Sequence, residues 1–342
     1  MIFAFDTRPA HAHAGLYVSS HPRSLISVSG EDRASFLQGL LCQDVVGQPS
    51  GTLRYGFFLN PKARILFDSW IGVLPDRILL SPSLFTPSGE EAFLAHLKKY
   101  LFFRTRAALA SLTRGFVMAT LVGPDAPTLA APLFSEESGM EGLKSLASGG
   151  FAFLHPSSSA FESGRGPWID LWIPSDAAEK ILAALSERVA DRGGQRLDDA
   201  GIEVYRVERG IPTVPAELNL GHFPAEAGLD SLAVSYNKGC YVGQEPVTRL
   251  KFQGQLSRKL SGVRFSGSAP AEGPLPRPLL AASDGSEAGM LTSLVSSDLC
   301  GTLVGLAYLK RGQWETGTAL VDGEGNRFEV AELPLSPEEP PF

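Results

Sequence analysis

The densest group of chemically capable side chains in the sequence surrounds one cysteine. The segment reads Lys238-Gly-Cys240-Tyr241-Val-Gly-Gln244-Glu245, with a lysine two residues before the cysteine and a tyrosine directly after it. A neighbouring ammonium group favours the thiolate, which is the nucleophilic and metal-binding form of cysteine. Tyr241 adds a ring face and a hydroxyl, and Gln244 and Glu245 add an amide and a carboxylate. This variety of polar groups between two flexible glycines is typical of a binding loop.

A structural explanation of the same residues stays open. A lone cysteine is more often a small buried apolar residue than a reactive thiol, and Lys238 can simply point into solvent. Cys42 and Cys300 have apolar or glycine-flanked surroundings without such neighbours, so we expect both to be structural. Three cysteines cannot form a disulfide framework. Cys240 is therefore the cysteine that we single out.

The elements that must position this loop are expected to include four helices. Helical patterns begin near Asp32, Ser88, Ser175 and Asp198, and apolar residues follow each start at helical spacing. The fourth pattern ends at Gly210, because glycine tolerates the left-handed conformation that closes a helix.

Short runs rich in β-branched and aromatic residues lie between these helices and predict strands. The runs cover residues 25–28, 54–59, 65–73, 78–80, 116–122 and 168–173. Helices and strands mix without strict alternation, which favours an α+β body.

The pattern changes after about residue 255, where glycine turns separate short strands and no convincing helix follows. This predicts a small barrel or sandwich. The expected strands are 259–265, 290–295, 302–309, 318–321 and 327–330. We expect loops, rich in proline or small residues, at 156–167 and 267–289, and a disordered tail at 334–342.

Length, charge and apolar runs argue against several classes of protein. The 342 residues suggest about two or three domains, and the net charge of −7 argues against a globally cationic nucleic-acid binder. No run approaches the roughly 18 apolar residues of a spanning helix, and the first residues lack the pattern of an export signal. We therefore expect a cytoplasmic protein with neither a nucleic-acid nor a membrane partner.

Motifs of the common nucleotide-binding and hydrolase sites are absent. The sequence has no GxxxxGK[ST], GxGxxG, GxSxG or HExxH pattern. His11 and His13 lie near the N-terminus without an acid or cysteine at ligand spacing, so we expect a solvated segment rather than a metal site.

The cysteine segment carries a family resemblance. Residues 238–245 match Lys-Gly-Cys-Tyr-x-Gly-Gln-Glu at every specified position, and this resembles the signature of the YgfZ family, folate-binding proteins of iron–sulfur cluster maintenance. That family is similar in fold to the glycine cleavage T-protein, an aminomethyltransferase. Further anchors at residues 28–38, 43–45, 205–212 and 223–229 extend the resemblance over about residues 25–260.

The resemblance implies an α+β fold, with a glycine cleavage T-protein-like folate-binding body followed by a small C-terminal β-barrel. The body would cover residues 1–255, in two subdomains of about 1–110 with 200–255 and of 111–199. The barrel would cover residues 256–333, and the disordered tail residues 334–342.

The resemblance also implies a site for tetrahydrofolate or a reduced derivative of it. A pterin presents neighbouring donors that a carboxylate accepts in pairs, and its flat ring favours aromatic neighbours. Glu208 occupies the position of the family's pterin-binding glutamate, and Tyr205 lies one turn earlier on the same helix face. A core tyrosine is an equally good explanation of Tyr205. The other candidates for the cofactor site are Tyr241, Gln244, Glu245 and Arg249. A folate tail or a partner surface could be bound by Arg249, Lys251 and Arg258.

The resemblance adds one catalytic candidate to the residues of the cysteine segment. T-proteins carry Gly-Gly-x-x-Asp-Asp, whose second aspartate acts near the folate N5, and this chain has Ala63-Arg64-Ile-Leu-Phe67-Asp68 there. Asp68 keeps the second acid while the glycine pair and the first acid are replaced, which weighs against aminomethyl transfer. The catalytic candidates are Cys240, Asp68 and Lys238.

Three functions are compatible with these residues. The first is a tetrahydrofolate-binding accessory protein that supports iron–sulfur cluster assembly or repair, with folate and iron–sulfur client or assembly proteins as partners. The second is a tetrahydrofolate-dependent aminomethyltransferase. The third is a non-folate thiol or protein-interaction module. One cysteine cannot supply the four ligands that a cluster usually needs, so we predict no resident metal.

Overall fold

A computed structural model describes residues 2–19, 23–83, 87–135, 142–155, 166–267 and 273–336. Its α-helices in these ranges are α1 Arg8–Ala12, α2 Arg33–Gln38, α3 Pro87–Lys98, α4 Ala126–Ala130, α5 Ala178–Asp191, α6 Asp199–Glu208, α7 Asp230–Ala233 and α8 Gln244–Gln253.

Eighteen strands accompany these helices in the described ranges. The first nine are β1 Phe3–Phe5, β2 Gly15–Val18, β3 Ile26–Ser29, β4 Leu53–Leu59, β5 Ile65–Val73, β6 Arg77–Ser81, β7 Ala108–Ser111, β8 Phe116–Val122 and β9 Gly142–Ser145. The others are β10 Phe151–Leu154, β11 Trp168–Pro174, β12 Gln195–Leu197, β13 Arg258–Phe265, β14 Arg277–Ala281, β15 Glu287–Ser297, β16 Thr302–Lys310, β17 Ala319–Asp322 and β18 Arg327–Ala331.

Two open sheets form the body of the fold. The first sheet has the strand order β4-β5-β6-β3-β7, and α3 packs Phe93 and Leu97 against Phe58 in this sheet. The second sheet has the order β12-β2-β8-β11-β10-β9, and α5 covers it with Leu185 and Val189. Each sheet buries apolar side chains of one face under a helix, and the other faces share a core with the barrel that includes Phe57, Trp172 and Leu260.

The third sheet closes into a barrel. Its order is β15-β14-β17-β18-β13-β16, and β15 also pairs with β16, so the six strands form a ring without a free edge. The N-terminal strand β1 pairs in parallel with β15 and fastens the start of the chain to the barrel. The predicted α+β class and the C-terminal barrel are confirmed. The division of the chain into domains stays a proposal.

Two segments are more ordered than the sequence suggested. Strand β14 lies inside the expected loop 267–289, where several prolines hide the strand pattern, and its Leu279 and Ala281 point into the barrel core. Leu335 belongs to the expected disordered tail but is buried, and its N–H donates to the backbone carbonyl of Glu208 at 2.7 Å. Residues 337–342 of that tail and 156–165 of the other expected loop lie outside the described residues.

An imidazole is buried where the segment between α6 and α7 meets the barrel. The His222 ring stacks on Tyr308 in β16, with centroids 3.7 Å apart and planes inclined by 9°. Burial, followed by the charges of Arg258 and Arg64, lowers the pKa of His222 to about 4, because each disfavours the imidazolium. The His222 Nδ1 has no hydrogen-bond partner among the described residues.

The low pKa of His222 predicts a pH-dependent loss of stability. Between the unfolded pKa near 6.5 and the folded pKa of about 4, the unfolded chain binds more protons, so stability falls as the pH falls through this window. His222→Phe keeps the ring stack but has no group that titrates in this window. We expect it to remove about 1–2 kcal/mol of the fall in unfolding free energy, a figure reduced for the partial solvent access of His222. Urea unfolding at neutral and mildly acidic pH measures the difference. Tyr308→Phe is the control that should keep the wild-type pH dependence, and an unchanged dependence in His222→Phe would contradict the prediction.

Candidate functional site

Cys240 lies exposed in the turn that leads into α8. Gly243 is the N-cap of this helix with a φ of +85°, and a Cβ there would stand 2.7 Å from the carbonyl oxygen of Asn60. Glycine is therefore required at position 243. Gly239 differs from our expectation, because its φ is not in the left-handed region and an added Cβ would meet nothing within 4 Å.

Lys238 does not serve the neighbouring thiol as we expected. Its Nζ donates to the backbone carbonyls of Gln38 at 2.8 Å, Leu41 at 2.7 Å and Gln43 at 2.8 Å. An ammonium group has three N–H donors, and all three are used here. Lys238 therefore ties the Cys240 turn to the chain that follows α2.

Two side chains beside Lys238 complete this anchor. The Tyr241 ring is buried with its centroid 5.2 Å from the Lys238 Nζ, within cation–π range. Burial lowers the pKa of Lys238 to about 8, because it disfavours the charged form, and the nearby Cys42 and Asp44 oppose this shift. Cys42 is fully buried, its Sγ bonds the Ala233 carbonyl at 3.0 Å, and burial raises its pKa to about 12. Cys42 is therefore structural, as the sequence suggested.

The other predicted residues of this segment lie on or near the first turns of α8. Glu245 and Arg249 are exposed, and Gln244 is half-buried. A carboxylate in the first turn suits the positive end of the helix dipole. None of the three lines a described cavity, and their cofactor role stays a prediction.

Asp68 is buried in the first sheet and accepts three hydrogen bonds. Tyr55 donates its hydroxyl to Oδ2 at 2.8 Å, the Ser83 hydroxyl donates to the same oxygen at 2.7 Å, and the Ser83 N–H donates to Oδ1 at 3.0 Å. These bonds hold the carboxylate in place and leave about one acceptor position, on Oδ1, open. The structure brings Asp68 into contact with none of the cysteine-segment residues.

Glu208 is the last residue of α6 and is fully buried. Thr7 donates its hydroxyl to Oε2 at 2.7 Å, the His11 Nε2 lies 2.6 Å from the same oxygen, and Ser297 of the barrel donates to Oε1 at 2.6 Å. His11 also stacks on Tyr205 with ring centroids 4.5 Å apart, so the expectation of a solvated N-terminal segment was wrong. Three of the roughly four acceptor positions of Glu208 are therefore occupied, and its role in pterin binding stays a prediction.

A cavity of about 280 Å³ opens between the second sheet and α6. Apolar and aromatic side chains form part of its wall, and charged groups from both elements face it. The lining residues that matter here are Tyr17, Arg23, Trp168, Asp170, Glu203 and Arg206. Concave apolar walls with a few convergent polar groups are typical of a small-molecule site.

Asp170 organises one wall of this cavity. Its Oδ1 accepts from Thr120 at 2.8 Å and from the Trp168 indole at 3.0 Å, and its Oδ2 accepts from Arg23 at 3.2 Å and lies 3.1 Å from the His155 Nε2. Burial would raise the pKa of Asp170, but His155, Arg23 and Thr120 outweigh it and lower the pKa to about 2. All four acceptor positions are occupied, so Asp170 fixes the wall rather than a ligand.

Glu203 supplies the carboxylate that remains accessible. It pairs side by side with Arg206 through two bonds, one of them 2.6 Å long from Nε, while about a quarter of its side chain stays exposed. A carboxylate offers about four acceptor positions, so two remain for a ligand. Arg206 itself is committed to Glu203, to Glu217 at 3.3 Å and to Ser293 at 2.9 Å.

The sequence alone does not indicate this cavity, because the residues that line it are distant in the chain. A local signal existed for Asp170, an acid in the otherwise apolar strand Trp168–Pro174, since a charge in a buried strand needs partners. Glu203 and Arg206 are three residues apart on α6 and so share one face. Nothing local connects either signal to Arg23.

Comparison with known proteins defines the class of protein. Residues 6–238 match the GCVT N-terminal domain family, and the chain belongs to this family. The crystal structure of the glycine cleavage system aminomethyltransferase T from Bartonella henselae superimposes with a TM-score of 0.80 over 96% of this chain and 87% of that chain. At 23% identity this likeness shows that the two chains share a fold.

Three curated proteins are similar to this chain over most of its length. A chloroplastic protein of Arabidopsis thaliana is 27% identical over 92% of this chain and 70% of its own length. The mitochondrial iron–sulfur cluster assembly factor IBA57 of Mus musculus is 28% identical over 74% of this chain and 67% of its own. Its homologue in Aspergillus fumigatus is 29% identical over 74% of this chain and 58% of its own.

The described residues include neither a metal-ligand cluster nor a membrane-spanning helix. No group of three or more His, Cys, Asp or Glu side chains is placed to hold a metal ion within those ranges. No helix among them combines the length and the apolar character that crossing a membrane requires.

The anchor at Lys238 is testable. Lys238→Met keeps the aliphatic stem but removes three hydrogen bonds to buried carbonyls, and we expect a loss of about 2–4 kcal/mol in the free energy of unfolding. Amide exchange in the turn around Cys240 should accelerate as well. Lys238→Arg should not rescue either property, because a planar guanidinium cannot reproduce three converging ammonium bonds.

The matched control for this change is Lys251→Met. Lys251 pairs with Asp230 at 2.9 Å near the surface, and such pairs contribute about 0–1 kcal/mol. Equal losses for the two variants would show that Lys238 is an ordinary surface cation.

Proposed function

We propose that this protein is an accessory factor of iron–sulfur cluster assembly or repair and that the Cys240 thiol is its essential group. The exposure of Cys240 on a turn anchored by Lys238 is the observation that carries the proposal. The relatives named as iron–sulfur cluster assembly factors support it. Because one cysteine cannot hold a cluster alone, the thiol acts on a client or assembly protein.

Aminomethyl transfer is the weaker candidate. The shared fold favours it, but Asp68 is held by Tyr55 and Ser83, and the residues before it depart from the transferase pattern. The third candidate is a thiol or interaction module that binds no folate. Cys240 would have the same role in it, but the cavity would not bind a reduced folate.

We also propose that a reduced folate binds in the cavity between the second sheet and α6. The donor set fits a pterin: Trp168 and Tyr17 offer aromatic faces, and Glu203 keeps acceptor positions for a pair of ring donors. Arg23 adds positive charge for the ligand's anionic part. When bound, the folate would carry a one-carbon unit, and the residues named here would hold and orient its ring. The cysteine segment 238–245 does not line this cavity.

Replacement of the thiol tests the leading function. In cells that lack the native protein, Cys240→Ser should leave the activity of an iron–sulfur enzyme at the level of the empty vector. Cys240 is exposed, so the variant should fold normally. Cys300→Ser, at a half-buried cysteine, is the matched control and should restore activity. Full rescue by Cys240→Ser would refute the proposed role of the thiol.

Titration with a reduced folate tests whether Glu203 or Glu208 binds the pterin. Titration with 5-formyltetrahydrofolate should give saturable binding, and Glu203→Gln should weaken it about tenfold or more through loss of charge-assisted bonds. Glu208→Gln should instead lower the free energy of unfolding by about 1–3 kcal/mol and leave affinity nearly unchanged. The reverse pattern would assign the pterin to Glu208, and no binding at all would favour the non-folate module.

A further inference from the structure

A projecting turn after α3 exposes two adjacent phenylalanines. The Phe102 side chain is 69% exposed and Phe103 is 92% exposed, the highest value for a large apolar residue in the described ranges. The preceding Tyr100 and Leu101 pack against the core of the first sheet. The chain therefore buries its apolar residues up to Leu101 and then presents the next two to solvent.

The base of this turn is held in place. The Thr105 N–H donates to the Phe102 carbonyl at 2.9 Å, which closes the turn. On its far side the Arg106 N–H donates to the Asp32 carboxylate at 2.8 Å, and the Asp32 N–H returns a bond to the Arg106 carbonyl at 3.1 Å. The exposed rings are thus part of an ordered surface feature that is fastened to the start of α2.

Three cations lie within five residues of the two phenylalanines along the chain. Lys98, Lys99 and Arg104 are exposed, and no described carboxylate lies within ion-pairing distance of them. The Arg104 guanidinium lies 5.3 Å from the Phe103 centroid. Glu31 and Asp32, beside the base of the turn, are paired with Arg106. A chain of net charge −7 therefore carries a local positive patch around its most exposed apolar residue.

We propose that this turn docks on an anionic lipid surface, with Phe102 and Phe103 inserted at the interface and the three cations over the headgroups. Aromatic residues flanked by Lys and Arg are the composition of interfacial membrane anchors. Each cation near an anionic bilayer adds attraction, and the rings gain from leaving water. This proposal departs from the expectation of no membrane partner, because peripheral docking needs no spanning helix.

The features of the turn favour a lipid surface over a protein. Lysine is depleted in protein–protein interfaces, whereas two of the three cations here are lysines. A stable protein interface needs roughly 800 Å² on each partner, and a single projecting turn offers much less. A bilayer adapts to a convex tip because lipids rearrange around inserted side chains.

Vesicle co-sedimentation of the full chain tests the proposal. The protein should bind phosphatidylcholine vesicles that contain phosphatidylserine, bind pure phosphatidylcholine vesicles weakly, and detach as salt is raised. Phe102→Ser/Phe103→Ser should weaken binding about tenfold or more. Lys98→Gln/Lys99→Gln should weaken it less and reduce the salt dependence. These surface variants should keep the wild-type unfolding temperature.

Phe252→Ser is the matched control, because Phe252 is 70% exposed at the end of α8 and lies beside a paired lysine. Vesicle binding of this variant should equal that of the wild type. The proposal is overturned if the wild type ignores anionic vesicles, or if Phe252→Ser loses binding as much as the double variant. It is also overturned if the double variant converts a dimer to a monomer, since the turn would then bind a second copy.

Discussion

The bonds from the Lys238 ammonium to three backbone carbonyls are the interaction on which the candidate site depends. They join residues about 200 positions apart and hold the turn that carries Cys240 against the chain after α2. Each bonded carbonyl would otherwise be a polar group in need of a partner, so removing the ammonium affects both segments. Lys238 thus fixes the turn on which the thiol lies. The sequence had suggested instead that Lys238 favours the thiolate of Cys240.

Two buried carboxylates join other parts of the fold. Glu208 joins the N-terminal segment, α6 and the barrel, and Asp170 joins Arg23 and His155 to the second sheet. Asp170 has filled its four acceptor positions and Glu208 uses three, and these bonds offset the cost of burying the two carboxyl groups. Glu203 is half-buried and keeps spare acceptor positions. The exposed thiol and the proposed ligand cavity are therefore separate regions of the molecule.

Local features of this fold were predictable, and its long-range partners were not. Strands 65–73 and 116–122 have the predicted bounds because alternation and flanking turns are local signals. Helix α6 begins where Asp198 accepts a bond from the Gly201 N–H, a cap that sequence can show. Strand β14 was missed because its pairing outweighs its prolines. The partners of Lys238 and Glu208 come from distant segments, and one sequence contains no record of that proximity.

The central claim is that the thiol and the ligand cavity occupy separate places on one T-protein-like scaffold. A crystal structure of the protein soaked with 5-formyltetrahydrofolate tests it most directly. Our account predicts a pterin beside Trp168 with its donors on Glu203, while Glu208 keeps its bonds to Thr7 and Ser297. A pterin bound to Glu208 with those bonds broken, and in contact with the Cys240 sulfur, would contradict it.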